Sequence, residues 1–237
     1  QRLAAGLLGR KSQRGFYEYK NGEKIEVPVQ AVPPRVERPV WLSVSDRTSF
    51  PEVTKILSSL GAIVETGKVA SPAALCLVLP VGLDATTTAI NAACDPERTV
   101  ALDPLFLLGR RTLMTSPATL PDVRDAAHAL FASDAIPVSL IKDSAGFIAQ
   151  RVVATIVNIA SDIAQQGIAR PQDIDTAVKL GLGYPSGPLA MGDKLGAARV
   201  LAILDGLFEV YRDPRYRPSP WLRRRAQLGL SLLKSEI

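Results

Sequence analysis

A glycine-rich stretch, GLGYPSGPLAMGDKLG at residues 181–196, is the first candidate for chemistry in this sequence. Gly181, Gly183 and Gly187 come close to the G-x-G-x-x-G spacing of a turn that binds a dinucleotide pyrophosphate. Such a turn follows a strand, which aims it at the N-terminus of a helix. Here the preceding residues, PQDIDTAVKLG, have helical spacing, and the third glycine comes one residue late. The stretch therefore predicts a corner between two helices, with Gly181 as a C-cap and YPSGP as a tight turn.

The turn after the first predicted strand is where a dinucleotide site is expected in a wound α/β domain. It reads SVSDRTSFPEV, with no glycine between Ser43 and Gly61. The bulky Asp46 and Arg47 would hinder a close approach of the backbone to a pyrophosphate. We therefore predict no cofactor-binding residues in this chain. One alternative stays open, that the α/β segment binds a nucleotide-like ligand, such as the adenine end of CoA, without a glycine fingerprint.

Residues for acid–base or metal chemistry are scarce. His128 is the only histidine, it shares a helix face with Arg124, and we expect it at the surface. Cys76 and Cys94 lie in apolar stretches and form no CxxC or Cys/His cluster, which disfavours a structural metal or a disulfide framework. Free cysteines favour a reducing cytoplasm. We assign no catalytic and no metal-binding residues.

The chain is basic, with a net charge of +5 over 237 residues and a sequence pI of about 9.4. Much of the excess lies near the end, in Arg212, Arg215, Arg217, Arg223, Arg224 and Arg225. The simplest interpretation is a solvated face, and the alternative is a non-enzymatic module that binds nucleic acid. Interrupting prolines and few aromatic residues make nucleic acid the weaker interpretation. The longest apolar run, 146–167, is interrupted by polar residues and does not predict a membrane span.

The elements that must position these residues divide the chain into three parts. Residues 1–38 end in a proline-rich linker. Residues 39–142 alternate strands and helices, which predicts a small parallel sheet of the reduced Rossmann-like kind. The predicted strands are 40–45, 75–81, 99–105 and 136–141, and the predicted helices are 49–60, 86–94 and 120–133.

Residues 143–237 contain only helical patterns and predict a helical bundle. The helices are expected at 145–166, 171–181, 193–211 and 219–233, with Asp193 in the first turn of the third. The first helix is apolar over most of its circumference, as in a central bundle helix. A polar stripe follows it at spacings of three and four residues, through Arg151, Thr155, Asn158, Asp162 and Gln166.

Three stretches together resemble the helical domains of 3-hydroxyacyl-CoA dehydrogenases. GRKSQRGFYEY (9–19) resembles the terminal loop of such a domain, KDSAGFIAQ to GDKLG (142–196) its first half, and RDPRYRPSPWLRRRAQLGL (212–230) its closing part. A helical end, an α/β segment and a second helical domain follow in that order. This layout resembles the longer bacterial enzymes of phenylacetate and 3-hydroxybutyryl-CoA metabolism, which carry a duplicated helical domain.

The resemblance implies that the chain is the C-terminal half of such an enzyme. The expected reaction is oxidation of 3-hydroxyacyl-CoA to 3-oxoacyl-CoA, with NAD and the catalytic histidine on an upstream half and none on this chain. It also implies a homodimer and a role in assembly and in shaping the acyl-CoA cleft. The family's GFIxNR segment places an asparagine at the active site, whereas this chain has Gln150. We therefore expect Gln150, Arg151 and Asn158 as substrate-cleft or structural polar positions.

Overall fold

The structure of the chain is a computed structural model that describes residues 3–25 and 31–235. It divides into two units, the first ending at Val32 and the second beginning at Pro33. The first unit contains a 3-10 turn at Arg10–Ser12 and a short antiparallel pair, β1 (Tyr19–Lys20) with β2 (Glu23–Lys24). The second unit contains the sheet and the helices that follow it.

The sheet of the second unit has six strands in the order β4-β3-β5-β6-β7-β8. Its elements along the chain are β3 (Val40–Leu42), α1 (Val44–Ser49), α2 (Pro51–Ser59), β4 (Val64–Glu65), β5 (Leu75–Val78), α3 (Ala85–Asn91), β6 (Thr99–Leu102), β7 (Arg111–Thr115), α4 (Pro121–Phe131) and β8 (Val138–Lys142). Helices alternate with most strands, and a helical bundle follows. The predicted fold class, a reduced Rossmann-like α/β domain followed by a helical bundle, is confirmed.

The prediction that the whole sheet is parallel is wrong at one end. The strand β7 was not predicted; it pairs antiparallel with β6 and parallel with β8. The reason is the connection between β6 and β7, which holds only residues 103–110. A parallel return needs a crossover of about a dozen residues or more, whereas a short loop returns the chain antiparallel.

The helical part comprises α5 (Ala149–Gln165), α6 (Pro171–Leu182), α7 (Pro188–Leu195), α8 (Ala197–Tyr211) and α9 (Pro220–Leu228). The single helix predicted at 193–211 is in fact two, because Gly196 adopts φ +97° between them. Asp193 consequently lies in the last turn of α7. The predicted C-cap is also displaced: α6 continues past Gly181, and Gly183, with φ +67°, ends it.

The last helix ends earlier than the predicted residue 233. Gly229 adopts a left-handed conformation after Leu228, and the chain then turns back on α9. The indole N–H of Trp221 donates to the Leu232 carbonyl at 3.0 Å. The carboxylate of Asp193 accepts the Leu232 backbone N–H at 2.7 Å, so this final segment is held from two sides.

Two apolar cores lie on either side of the junction between sheet and bundle. The sheet core is built from large aliphatic residues and Phe131, and the bundle core from residues of α5 to α9. Val81 and Leu105 pack against both cores. The sheet and the bundle therefore share a continuous apolar contact.

The helix α5 differs from its prediction as a helix buried on most sides. Small residues and one valine face the core: Ala154, Val157, Ala160 and Ala164. The larger apolar residues Ile148, Val152 and Ile159 are more than half exposed. Among the described residues no helix is long and apolar enough to cross a membrane.

Candidate functional site

The turn between β3 and α1 is the first position at which a wound sheet binds a ligand. Ser43 caps α1 by accepting the Asp46 backbone N–H at 2.9 Å. Burial raises the pKa of the Asp46 carboxyl, against the lowering effects of the Ser43 side chain and the Leu79 backbone. This turn therefore holds an acidic side chain of its own where a cofactor phosphate would need N–H groups and space.

The second such position, the N-terminus of α3, is also filled by carboxylates. Asp84 accepts the Thr87 N–H at 2.6 Å as the N-cap. Asp143, the residue after β8, accepts the Ala85 and Thr86 N–H groups at 2.7 and 3.2 Å, and the Thr86 hydroxyl. Helix N-termini attract anions because their N–H groups are unpaired. Here the protein supplies the anions itself, so the residues present do not fit a dinucleotide.

The loop after β5 lies directly against the backbone of α8. Gly82 has φ +79°, and a Cβ on it would stand 2.7 Å from the carbonyl oxygen of Ala202. A Cβ on Gly206 would stand 2.7 Å from the carbonyl oxygen of Gly82. Glycine is needed on both sides of this contact because no side chain fits between the two backbones. The junction between sheet and bundle is closed at this point.

Gln150 spans the same junction from α5. Its side chain is fully buried; Oε1 accepts the Gly82 N–H at 2.9 Å, and Nε2 donates to the Pro80 carbonyl at 3.1 Å. Nε2 also donates to Asp103 Oδ1 at 2.9 Å, and both amide N–H groups are thereby used. Asp103 is itself buried, and that burial raises its pKa. The sequence placed the Gln150 amide near the substrate. In the structure it is buried in the junction and hydrogen-bonds to the sheet domain.

Arg151 points to the other side of α5, toward the end of α8. Its Nη2 donates to the Ser144 hydroxyl at 2.6 Å, the Ala145 carbonyl at 2.7 Å and the Tyr211 hydroxyl at 2.9 Å. The guanidinium also lies over the Tyr211 ring, 5.1 Å from its centre. Arg151 therefore connects the segment before α5 with the C-terminal end of α8.

Asn158 is buried and holds the segment before α9. Its Nδ2 donates to the Arg217 carbonyl at 2.9 Å, and its Oδ1 accepts the Ser219 N–H at 2.8 Å. The hydrogen bonds described for the polar stripe of α5 do not reach the glycine corner at residues 181–196. The structure brings Gln150, Arg151 and Asn158 onto one helix but not into one cleft.

The glycine corner is held by Asp175 of α6. Its carboxylate accepts the Leu189 and Ala190 N–H groups, at 2.8 and 2.9 Å, at the start of α7. A Cβ on Gly187 would overlap that carboxylate, so this glycine makes room for an internal anion. The prediction of a helix-to-helix corner is therefore correct. The N–H groups at the start of α7, which could bind a phosphate, are bound by the buried Asp175 instead.

His128 is not at the surface as predicted. It is 2% exposed on α4, and burial lowers its pKa, which keeps the imidazole neutral at pH 7. The α4 residues Ala126, Ala127, Ala129 and Leu130 are buried with it, so this helix is covered on more sides than its polar residues suggest. Its Nδ1 has no hydrogen-bond partner among the described residues. The side chain that would orient a catalytic imidazole is therefore missing from the described part of the chain.

Most of the C-terminal arginines are engaged within the protein. Arg212, Arg215 and Arg223 form ion pairs with Glu209, Asp213 and Asp205. Arg225 is buried, with its guanidinium 3.1 Å from the centre of the Trp221 ring. This pairing reduces the positive field that binding to a nucleic-acid backbone would require.

An apolar groove of about 760 Å³ lies on the outer side of the junction. The loop between β6 and β7 forms one wall, with Leu105 and Leu108, and α5 forms the other, with Ile148, Val152 and Val153. Leu108 is 91% exposed. Monomeric proteins seldom expose such contiguous apolar surface without using it for binding.

Comparison with known proteins shows which proteins this chain resembles. Residues 146–236 match the family model of the 3-hydroxyacyl-CoA dehydrogenase C-terminal domain. The chain is 34% identical over 234 residues to 3-hydroxyadipyl-CoA dehydrogenase of Escherichia coli K12, covering 95% of this chain and 42% of that protein. It is 37% identical over 125 residues to a probable 3-hydroxybutyryl-CoA dehydrogenase of Deinococcus radiodurans, covering 53% of this chain and 44% of that protein.

A solved structure also resembles this chain over nearly its whole length. The crystal structure of 3-hydroxybutyryl-CoA dehydrogenase from Escherichia coli K12 superimposes with a TM-score of 0.69 at 30% identity, covering 96% of this chain and 43% of that chain. The chain thus spans less than half the length of these relatives.

The close contact between Gly82 and Gly206 leads to a testable prediction about stability. We expect Gly206→Ala to lower the free energy of unfolding by about 1–3 kcal/mol, since the new methyl group forces the loop and helix apart. The intrinsic helix propensity of alanine acts in the opposite direction by about 1 kcal/mol. Gly181→Ala is the matched control, a helical glycine with no atom within 4 Å of its added Cβ. Urea unfolding should show that control to be neutral or stabilised, and equal effects of the two substitutions would contradict the assignment.

The hydrogen bonds of Asn158 predict a loss of stability on removal. Asn158→Leu leaves the buried Ser219 N–H and the Arg217 carbonyl unpaired, at a cost of about 1–3 kcal/mol for each buried group. We expect the melting temperature to fall by several degrees in a thermal scan. Asn158→Asp keeps the acceptor for Ser219 but sets a buried carboxylate oxygen against the Arg217 carbonyl, so it should also lose stability at pH 7. An unchanged melting temperature in Asn158→Leu would show that these bonds contribute nothing.

Proposed function

We propose that this chain, which belongs through residues 146–236 to the 3-hydroxyacyl-CoA dehydrogenase family, is the C-terminal part of an NAD-dependent 3-hydroxyacyl-CoA dehydrogenase. The match to the Escherichia coli relative carries the proposal, because it covers 95% of this chain but only 42% of that protein. The enzyme oxidises a 3-hydroxyacyl-CoA to a 3-oxoacyl-CoA in fatty-acid or aromatic-acid degradation. The NAD site and the reacting groups are placed on the upstream half of the same polypeptide.

Within that enzyme the chain serves assembly and shapes the substrate cleft from outside. The internal carboxylates at the β3–α1 turn and at the N-terminus of α3 support this role, since Asp46 is partly buried in that turn and Asp143 binds the first N–H groups of α3. We assign residues 39–142 as a sheet domain without cofactor and 143–237 as the helical domain. Residues 1–38 are assigned to the end of a preceding helical domain and its linker. The unpaired cysteines suit the reducing cytoplasm that we propose for the enzyme.

In the helical domain, Gln150, Arg151 and Asn158 are proposed to act on the substrate cleft only through position. Each donates hydrogen bonds within the protein, to the sheet, to the end of α8 and to the segment before α9 respectively. Their proposed role is therefore to fix where α5 lies against its neighbours. Contact with acyl-CoA itself is assigned to the upstream half.

The proposal that NAD binding and catalysis belong to the upstream half is tested by measuring both the activity and the NAD affinity of this chain. We expect the chain alone to show no saturable NAD binding in calorimetric titration and no reduction of NAD with 3-hydroxybutyryl-CoA. Hydride transfer requires a nicotinamide held against the substrate carbon, and this chain provides no place for its pyrophosphate. The polypeptide extended by its upstream reading frame should show both. NAD binding by the chain alone, or turnover lost on His128→Ala, would overturn the proposal.

Self-association is the second part of the proposal. Ile148, Val152 and Ile159 share one face of α5 at spacings of four and seven residues, and all three are exposed beside the apolar groove. A second copy of the enzyme is the proposed occupant of this face, which gives a homodimer.

The homodimer is checked by sedimentation over a range of concentrations. We expect Val152→Asp to raise the dimer dissociation constant at least about tenfold, because a carboxylate loses its hydration in an apolar interface. Ile90→Asp is the control, an apolar residue on α3 that is also more than half exposed. A chain that is monomeric at every concentration, or equal weakening by both substitutions, would rule out this face.

A further inference from the structure

We infer that Cys76 and Cys94 form an oxidation site for small hydroperoxides, at which the two thiols close to a reversible disulfide. Cys76 lies in the central strand β5 and is fully buried. Cys94 follows α3 and is partly exposed, and both cysteines are free. Neither thiol takes part in the contacts between sheet and bundle described above.

The two cysteines belong to one small cluster, in which Cys94 packs against the buried Trp41, Ala74 and Cys76. The Cys94 thiol donates a weak hydrogen bond to the Ala92 carbonyl, 3.8 Å away. The backbone at Cys94 is held by the end of α3, since its N–H donates to the Ala89 carbonyl at 2.9 Å. Ala93 supplies the turn with φ +51°. The fold therefore presents the second thiol to the first from a fixed position.

A cavity gives a small oxidant access to the pair. It measures about 110 Å³, the space of roughly three or four water molecules, and both cysteines line it together with Trp41, Lys68, Ala70 and Arg98. A hydroperoxide fits that space, whereas a peptide-sized disulfide does not. The cations Arg98 and Lys68 favour negative charge on a sulfur at its wall.

The charged groups around the pair support a thiolate on Cys76. The neighbouring Cys94 thiol lowers the Cys76 pKa to about 7, with the Arg98 cation assisting against burial and Asp95. The Cys94 pKa is raised by the neighbouring Cys76, by burial and by Asp46. Arg98 is itself fixed, donating to the Ser71 and Ala74 carbonyls at 2.6 and 3.1 Å and to Asp95 at 2.9 Å. Since the thiolate is the nucleophile, Cys76 is the sulfur that attacks first.

The oxidation balances in two steps. The Cys76 thiolate attacks one oxygen of the hydroperoxide, the O–O bond breaks, and the leaving alkoxide or hydroxide takes up a proton, which leaves a sulfenic acid on Cys76. The Cys94 sulfur then attacks the Cys76 sulfur, its thiol proton leaves with the hydroxyl group as water, and the disulfide forms. In total two thiols lose two electrons and two protons, and one hydroperoxide is reduced to water and an alcohol or to two waters.

The experiment uses the whole chain with hydrogen peroxide at pH 7. We expect both thiols to disappear together, a mass lower by two hydrogen atoms, and a peptide map that joins the segments around Cys76 and Cys94. Dithiothreitol should restore both thiols. Trp41, which is paired in register with Cys76, should lose fluorescence on disulfide formation, and Trp41→Phe should abolish that change.

The pH dependence of the rate separates this site from ordinary cysteine oxidation. The midpoint should lie near pH 7 in the native protein and rise to about 8.5 or above in Cys94→Ala, where Cys76 has lost the neighbouring thiol. In that variant the reaction should stop at a sulfenic acid that dimedone traps. Should Cys94→Ala fail to fold, the native chain in urea supplies the same comparison, since unfolding also separates the two sulfurs.

Three results would each overturn the inference. The first is two free thiols remaining at peroxide concentrations that oxidise glutathione. The second is oxidation of Cys94 alone to a sulfinic acid. The third is a disulfide formed only between two chains.

Discussion

The contact between the backbones at Gly82 and Gly206 is the constraint on which the rest of the structure depends. It brings the loop after β5 against α8 so closely that neither position accepts a Cβ. Gln150 then fills the remaining space, and its amide bonds the loop on one side and Asp103 on the other. Ligand-binding clefts occur preferentially at the interfaces between domains. Here backbone and a buried amide occupy that space, so the junction is part of the core.

Internal carboxylates bind backbone N–H groups elsewhere in the fold. Asp143 binds the first N–H groups of α3, and Asp175 binds those of α7. Each stabilises a helix N-terminus that an anionic ligand could otherwise use. At these two helix N-termini the anion-binding N–H groups are satisfied from within the protein.

Sequence patterns predicted the features that depend on local chemistry. The long helix α5, the buried strand β5 and the corner at the glycine stretch follow from spacing, capping and the absence of a preceding strand. The features that failed depend on tertiary contacts: the direction of β7, the break at Gly196 and the burial of His128. Asp143 and Asp175 were missed because a carboxylate that binds backbone N–H groups distant in sequence leaves no local signal. Asp103 was missed because its side-chain partner, Gln150, lies 47 residues further along the chain. Asp84, three residues before the N–H that it caps, could have been found by its spacing.

The two sides of α5 differ in chemical character, one polar and buried and the other apolar and exposed. Gln150 faces inward and commits its polar atoms to the sheet, whereas Ile148 and Val152, two residues away on either side, are exposed. A helix that only stabilised its own bundle would gain from polar residues on its outer face, because exposed apolar side chains favour aggregation. The exposed residues instead line a groove whose other wall is the short connection that reverses the sheet. The reversal at β7 and the closed junction thus leave the exposed apolar surface on the outer side of α5 and not between the sheet and the bundle.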